Sequence, residues 1–225
     1  MLGGELFRDL PEPELRRLVA IARRRRYARG EVVFHHGDPA DALHLIIRGY
    51  FAARLETRRG DAVTMSVHGP GDAFGELASL ETEQSRSTTV AALVAGETYA
   101  VRRDDFSRLR LEYPEVNDVL VRLLARRVRR TTELLAEALF VTADLRVLRR
   151  LSELATLFRG QAPATVVPLA QHELAELAGT SRATVNRVLR AELQRGTVTL
   201  GRGQIIVVDA AALAARAARG DTAEL

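Results

Sequence analysis

The chain has 225 residues, 33 basic against 29 acidic side chains, a net charge of +4 and no cysteine. That length holds one large domain or two small ones with separate cores, and two is the expectation; the missing thiols exclude disulfides, cysteine-ligated zinc or iron–sulfur centres and cysteine nucleophiles. Every basic residue is arginine, whose planar fork suits phosphate and guanine edges, but a GC-rich coding bias accounts for the same usage, so composition alone argues little for nucleic acid.

The opening stretch MLGGELFRDLPEPELRRL carries acids early and no long apolar run, so neither signal peptide nor membrane span is expected and the protein reads as cytoplasmic. The segment PEPELRRLVAIARRRR has helical spacing at Leu15, Leu18, Val19 and Ala22, with Pro11 and Pro13 near its start. From Val32 to Val101 the pattern changes. Short runs rich in Val, Ile, Thr and Phe are bounded by Gly37-Asp38-Pro39, Gly60-Asp61 and Gly69-Pro70-Gly71-Asp72, which predicts an antiparallel barrel or roll. Within it lies FGELASLETEQSRSTTV, residues 74–90, where Glu76 follows Gly75 in an apolar context and Arg86-Ser87 precedes another strand-like run. Two readings fit that stretch. Arg86, Ser87 and nearby backbone N–H groups could cradle a nucleotide phosphate while Glu76 accepts from a ribose hydroxyl, or Glu76 and Arg86 could form an internal salt bridge.

Beyond Pro114 apolar residues recur at threes and fours without Gly or Pro as far as Leu139, which predicts one helix of roughly seven turns. Leu120, Leu124, Val128, Thr131, Leu135 and Ala138 follow a mostly heptad-like seam suited to a partner helix, and a homodimer is the economical reading. The arginines at 126, 127, 129 and 130 read as the solvated flank of that helix. Further on, a short helix from Gln171 to Ala178 stops at Gly179, Thr180-Ser181 can cap the next, and a second helix runs from Arg182 to about Arg195 before Gly196. Two helices joined by a short glycine-containing turn are a helix-turn-helix pattern. Val185, Val188 and Leu189 can pack inward while Arg182 and Arg187 project, and Val198–Val208 alternates about Gly201-Arg202-Gly203 as a hairpin wing.

This order of parts, with FGELASLETEQSRSTTV and TSRATVNRVL, resembles the cyclic AMP receptor protein (catabolite activator protein) and fumarate–nitrate regulator family over nearly the whole chain, and its cyclic-nucleotide branch in particular. The resemblance implies an α+β chain: an N-terminal β-roll (a cyclic-nucleotide-binding jelly roll) over residues 1–113, a dimerisation helix over 114–139, and a C-terminal winged helix-turn-helix over 140–225. It implies Glu76 for the ribose hydroxyl, Gly75 and Leu77 as pocket backbone, Arg86 and Ser87 for the cyclic phosphate, and Thr131 and Thr132 for the adenine. On the DNA side it implies Arg182 and Arg187 as base readers, Thr184 as a phosphate contact, and Ser181 as a helix cap that also reaches backbone.

The implied protein is a homodimeric transcription regulator, not an enzyme. Cyclic AMP is its effector, and it holds no cofactor or metal; its partners are a palindromic operator in double-stranded DNA and RNA polymerase. Cyclic GMP, a cyclic dinucleotide or no effector at all remain alternatives. Ala183 departs from the pattern, standing where familiar members carry a glutamate that accepts from cytosine. His35 and His36 depart too, and with His44, His68 and His172 they lack the spacing a metal-dependent enzyme on the roll would need.

Overall fold

Strand β3 (Ala42–Arg48) shows why the first part of the chain folds as a two-layered roll: it is buried on both faces for most of its length. In the computed structural model, which describes residues 12–56, 62–76 and 85–218, Leu43 and Leu45 point to one core and Ile46 to another, as the period of two requires. Around β3 stand β1 (Arg23–Tyr27), β2 (Val32–Phe34), β4 (Phe51–Glu56), β5 (Ala62–His68), β6 (Ala73–Phe74), β7 (Thr89–Ala92) and β8 (Gly96–Arg102). They form two antiparallel four-stranded sheets, ordered β1-β8-β3-β6 and β2-β7-β4-β5. One core packs Phe34, Ile46, Phe51, Phe74 and Val90. The other sets β3 and β8 against α1 (Glu12–Ile21), α2 (Arg103–Glu112) and the first turns of α3 (Pro114–Phe140), through Leu18, Phe106, Val116, Val119 and Leu120.

Two features differ from the sequence reading. The four arginines after α1 are strand, not helix: β1 pairs with β8, and Arg24, Arg26 and Arg48 converge on Glu97, whose side chain is 2% exposed. A buried carboxylate with three guanidinium partners overrides the helical spacing that ends at Ile21. Leu120, expected in the seam, is buried in the roll's own core, while its neighbour Val121 is exposed.

The chain separates into two compact units, Met1–Arg130 and Thr131–Leu225, and α3 runs through the division. The second unit contains α4 (Ala143–Leu157), β9 (Thr165–Val167), α5 (Gln171–Ala178), α6 (Arg182–Gln194), β10 (Val198–Gly201), β11 (Gln204–Val207) and α7 (Ala210–Ala218). Val147, Leu151, Leu174, Val185, Leu189, Ile205 and Leu213 are almost wholly buried. The wing is the hairpin β10–β11, turned at Arg202-Gly203 with Gly203 at φ 67°, and β9 adds a third strand that the sequence did not suggest. Among the described residues no helix is long and apolar enough to cross a membrane.

Candidate functional site

Gly75 leaves β6 with φ +79°, and a Cβ there would lie 2.6 Å from Arg86 Nη1 and 3.1 Å from the Ala42 carbonyl oxygen. Only glycine fits, because the backbone is left-handed and the arginine passes directly over it. Arg86 is itself buried, 3% exposed. Its Nη1 donates to the Ala42 carbonyl at 2.8 Å, its Nη2 to Asp41 Oδ1 at 2.9 Å, and its guanidinium lies 4.0 Å from the centre of the Phe34 ring. Burial lowers its pKa, and the Asp41 carboxylate works against that shift. Arg86 Nε is buried without a hydrogen-bond partner among the described residues. Ser87, next in sequence, is exposed.

Glu76 is 1% exposed, and its partner is not Arg86. Arg127 of α3 donates through Nη1 to Glu76 Oε1 and through Nη2 to the Ala73 carbonyl at 2.6 Å. The second carboxylate oxygen, Oε2, is buried with no partner among the described residues. The internal Glu76–Arg86 bridge is therefore replaced by two pairs, Glu76–Arg127 and Asp41–Arg86. Arg127 is the residue that sequence reasoning missed by assigning the arginine run to solvent. The available signal was a lone carboxylate in an apolar context together with an arginine one helical turn before Thr131. Leu77 lies outside the described residues. Thr131 and Thr132 are exposed on α3 in the second unit, at the fourth and fifth positions after Arg127.

Two histidines flank these arginines. His44 stacks on Phe74 with ring centres 5.0 Å apart and lies 3.2 Å from Thr98 Oγ1 through Nδ1. Its pKa is pushed down to about 3, chiefly by burial and then by Arg86. His68 is likewise lowered to about 3 by burial and then by Arg127, so both rings are neutral at ordinary pH. Among the described residues no group of three or more His, Asp or Glu is placed to hold a metal ion.

In the second unit, Gly179 closes α5 in the left-handed conformation (φ 57°, ψ 47°), and Ser181 caps α6 by accepting from the Thr184 N–H at 3.2 Å. Arg146 of α4 ties the turn down by donating to the Ala178 and Gly179 carbonyls at 3.0 Å. Val185, Val188 and Leu189 are buried, which leaves Arg182, Ala183 and Arg187 exposed and Thr184 half-buried on the other side of the helix. Ala183, Asn186, Arg187, Arg190 and Gln194 line a shallow groove there. Arg187 makes a two-pronged pair with Asp144 of α4, Nη1 to Oδ2 and Nη2 to Oδ1, both at 2.6 Å.

Comparison with known proteins matches residues 24–113 to the cyclic nucleotide-binding domain and residues 145–216 to the Crp-like helix-turn-helix domain. The cyclic AMP receptor protein of Thermus thermophilus is 37% identical over 213 residues, 95% of this chain and 96% of that protein. The chain belongs to the CRP/FNR family of transcription regulators. The CRP-like cAMP-activated global transcriptional regulator of Mycobacterium tuberculosis is 34% identical over 194 residues, 85% of this chain and 86% of that one. The c-di-GMP-responsive global regulator CLP of Xanthomonas campestris superposes with a TM-score of 0.77 at 22% identity, covering 88% of this chain and 99% of that chain; this likeness speaks for the fold alone. As a CRP/FNR member the chain is a transcription regulator with a cyclic nucleotide-binding domain and a helix-turn-helix DNA-binding domain, and not an enzyme.

Proposed function

We propose that this regulator is a homodimer whose affinity for a two-fold symmetric operator is controlled by cyclic AMP bound in the roll. Residues 1–113 bind the effector, 114–139 dimerise and 140–225 bind DNA; the dimer acts in the cytoplasm, with RNA polymerase as a further partner. The observation that carries this reading is the Arg127–Glu76 pair. A buried carboxylate keeps one oxygen unpartnered among the described residues while the other is held by the long helix. In this reading the free Oε2 accepts a ribose hydroxyl, and the backbone of Gly75 and Leu77 borders the sugar. Arg86 exchanges the exposed Asp41 carboxylate for the cyclic phosphate with help from Ser87, and Thr131 and Thr132 meet the base. Ligand at Glu76 then acts on α3 through Arg127 without a longer relay.

The outer face of α3 supports dimerisation. Val121, Val128 and Leu135, spaced seven apart, are 64%, 67% and 60% exposed, and Leu124, Thr131 and Ala138 lie three residues after each. That is an a/d heptad seam, which another helix covers in a coiled coil. Two copies would present two α6 helices to successive major grooves about 10 bp apart, the docking that comes with the family's helix-turn-helix. Arg182 and Arg187 would face base edges, Thr184 and Ser181 the backbone.

The names of the relatives at 37% and 34% identity favour cyclic AMP as effector. Calorimetric titration with cyclic AMP, cyclic GMP and cyclic di-GMP, paired with sedimentation velocity, tests the reading. One cyclic AMP per subunit of a dimer is expected. Heat from cyclic di-GMP alone would replace the effector, and a monomer at micromolar concentration would remove the seam.

A further inference from the structure

We infer that Asp144 is a positioning residue for DNA reading: by gripping one edge of the Arg187 guanidinium it aims the other edge at a guanine and sharpens the preference for that base. The inference rests on the reading that α6 enters the major groove.

The pair joins residues 43 apart in sequence, with Arg187 side chain 66% and Asp144 side chain 44% exposed. So wet a pair contributes little to holding the unit together. The packing beneath is provided by Val147, Leu151, Val185 and Leu189, and Arg146 already ties α4 to the turn before α6. What the pair does fix is geometry. Asp144 takes one N–H from each terminal nitrogen, Nη1 and Nη2, in a fork-to-fork arrangement. The lateral edge, Nε together with the second N–H of Nη2, is left with two parallel donors, and neither has a protein acceptor among the described residues. Guanine presents O6 and N7 to just such a pair of donors in the major groove.

A flexible arginine must surrender its side-chain freedom when it reads a base, and one already held in a fixed plane gives up less. The grip cannot come from α6 itself: its first turn has no acidic residue, and the position one turn before Arg187 is Ala183. The carboxylate comes from the first turn of α4 instead. Asp144 also adds a negative charge near the DNA phosphates, which weakens binding to every sequence alike and so cancels from the ratio of affinities between two bases.

The test uses the full-length protein with cyclic AMP present. The consensus operator comes from randomised-site selection on the parent, and affinities are then measured for the guanine and substituted operators at each half-site position. Arg187→Ala is expected to flatten one guanine position. Asp144→Asn should lower the guanine preference at that same position by roughly three- to tenfold, part of a full bidentate contact, leave other positions unchanged, and add nothing in the Arg187→Ala background. If Arg187→Ala flattens the position but Asp144→Asn keeps the parent's ratio, or raises affinity for all operators equally, the inference is overturned and the DNA reading survives. If Arg187→Ala leaves the selected motif intact, the placement of α6 fails and this inference fails with it.

Discussion

Arg86 in the roll and Arg187 on α6 are both assigned to an outside ligand, and both are found on an internal carboxylate, Asp41 and Asp144 respectively. Their surroundings differ. The Arg86 side chain is 2% exposed, roofed by Phe34 and bonded to a backbone carbonyl, whereas its aspartate is 83% exposed; Arg187 and its aspartate both stand in water. A buried guanidinium is a fixed feature to which a ligand must come, and its loss leaves a hole as well as a missing charge. An exposed one, aimed by its aspartate, is expected on loss to change base preference but not fold.

The largest effect should follow removal of the buried arginine. Arg86→Ala is expected to weaken cyclic AMP binding about 100-fold or more, at the upper end for charge-assisted contacts. It should also lower the unfolding free energy by roughly 1–3 kcal/mol, the range for a lost core side chain with polar contacts. Calorimetry and thermal melting read the two losses; an unchanged melt would mean the site is looser than its burial implies. Second in size, Arg127→Ala strips the buried Glu76 of its partner, at a cost of about 2–3 kcal/mol, less than for a fully buried pair because Arg127 is 30% exposed. Adding Glu76→Gln should restore most of that stability. Operator affinity in both variants should no longer rise with cyclic AMP, and a retained response would separate the pair from signalling.

At the exposed end, Ala183→Glu should create a preference for a C·G pair at the base it faces, worth roughly 1–3 kcal/mol, with the melting temperature unmoved; parallel site selections on parent and variant decide it. The smallest effect is acid sensitivity of the roll. The folded His44 ring resists protonation down to about 3, against an ordinary value of 6.5. Below pH 6.5 the unfolded chain therefore binds the extra proton. Stability is full above that pH and is lost as pH falls, by roughly 1 kcal/mol at pH 5.5. Melting curves of parent and His44→Gln against pH should diverge in that sense.

The two regions also differ in how far the sequence disclosed them. The helix-turn-helix was legible almost to the residue, since its signals are local: Gly179 stops one helix, Ser181 caps the next, and Val185, Val188 and Leu189 repeat at helical spacing. The roll was legible as strands and turns, and Gly75, Glu76 and Arg86 do converge on one place. Their partners were not legible. Glu76 meets Arg127 across 51 residues and Arg86 meets Asp41 across 45, distances over which spacing carries no information. The same limit hid β1, whose arginines make sense only beside Glu97, and misplaced Leu120, since a heptad and a core-facing stripe are indistinguishable until the roll is present.

Strand β1 has one more consequence, for solubility. Among the described residues it ends its sheet, with no neighbouring strand on one side of its backbone, and such an edge is a template on which a second chain can add. Here the edge is written in four successive arginines, two leaning toward Glu97 and two to the opposite face. A second copy approaching edge-on would lay this arginine run beside its own counterpart across a strand spacing of about 5 Å, and like charges facing one another across a strand pair disfavour the pairing. Charge that looks idle in the sequence thus makes this edge a poor template for a second strand.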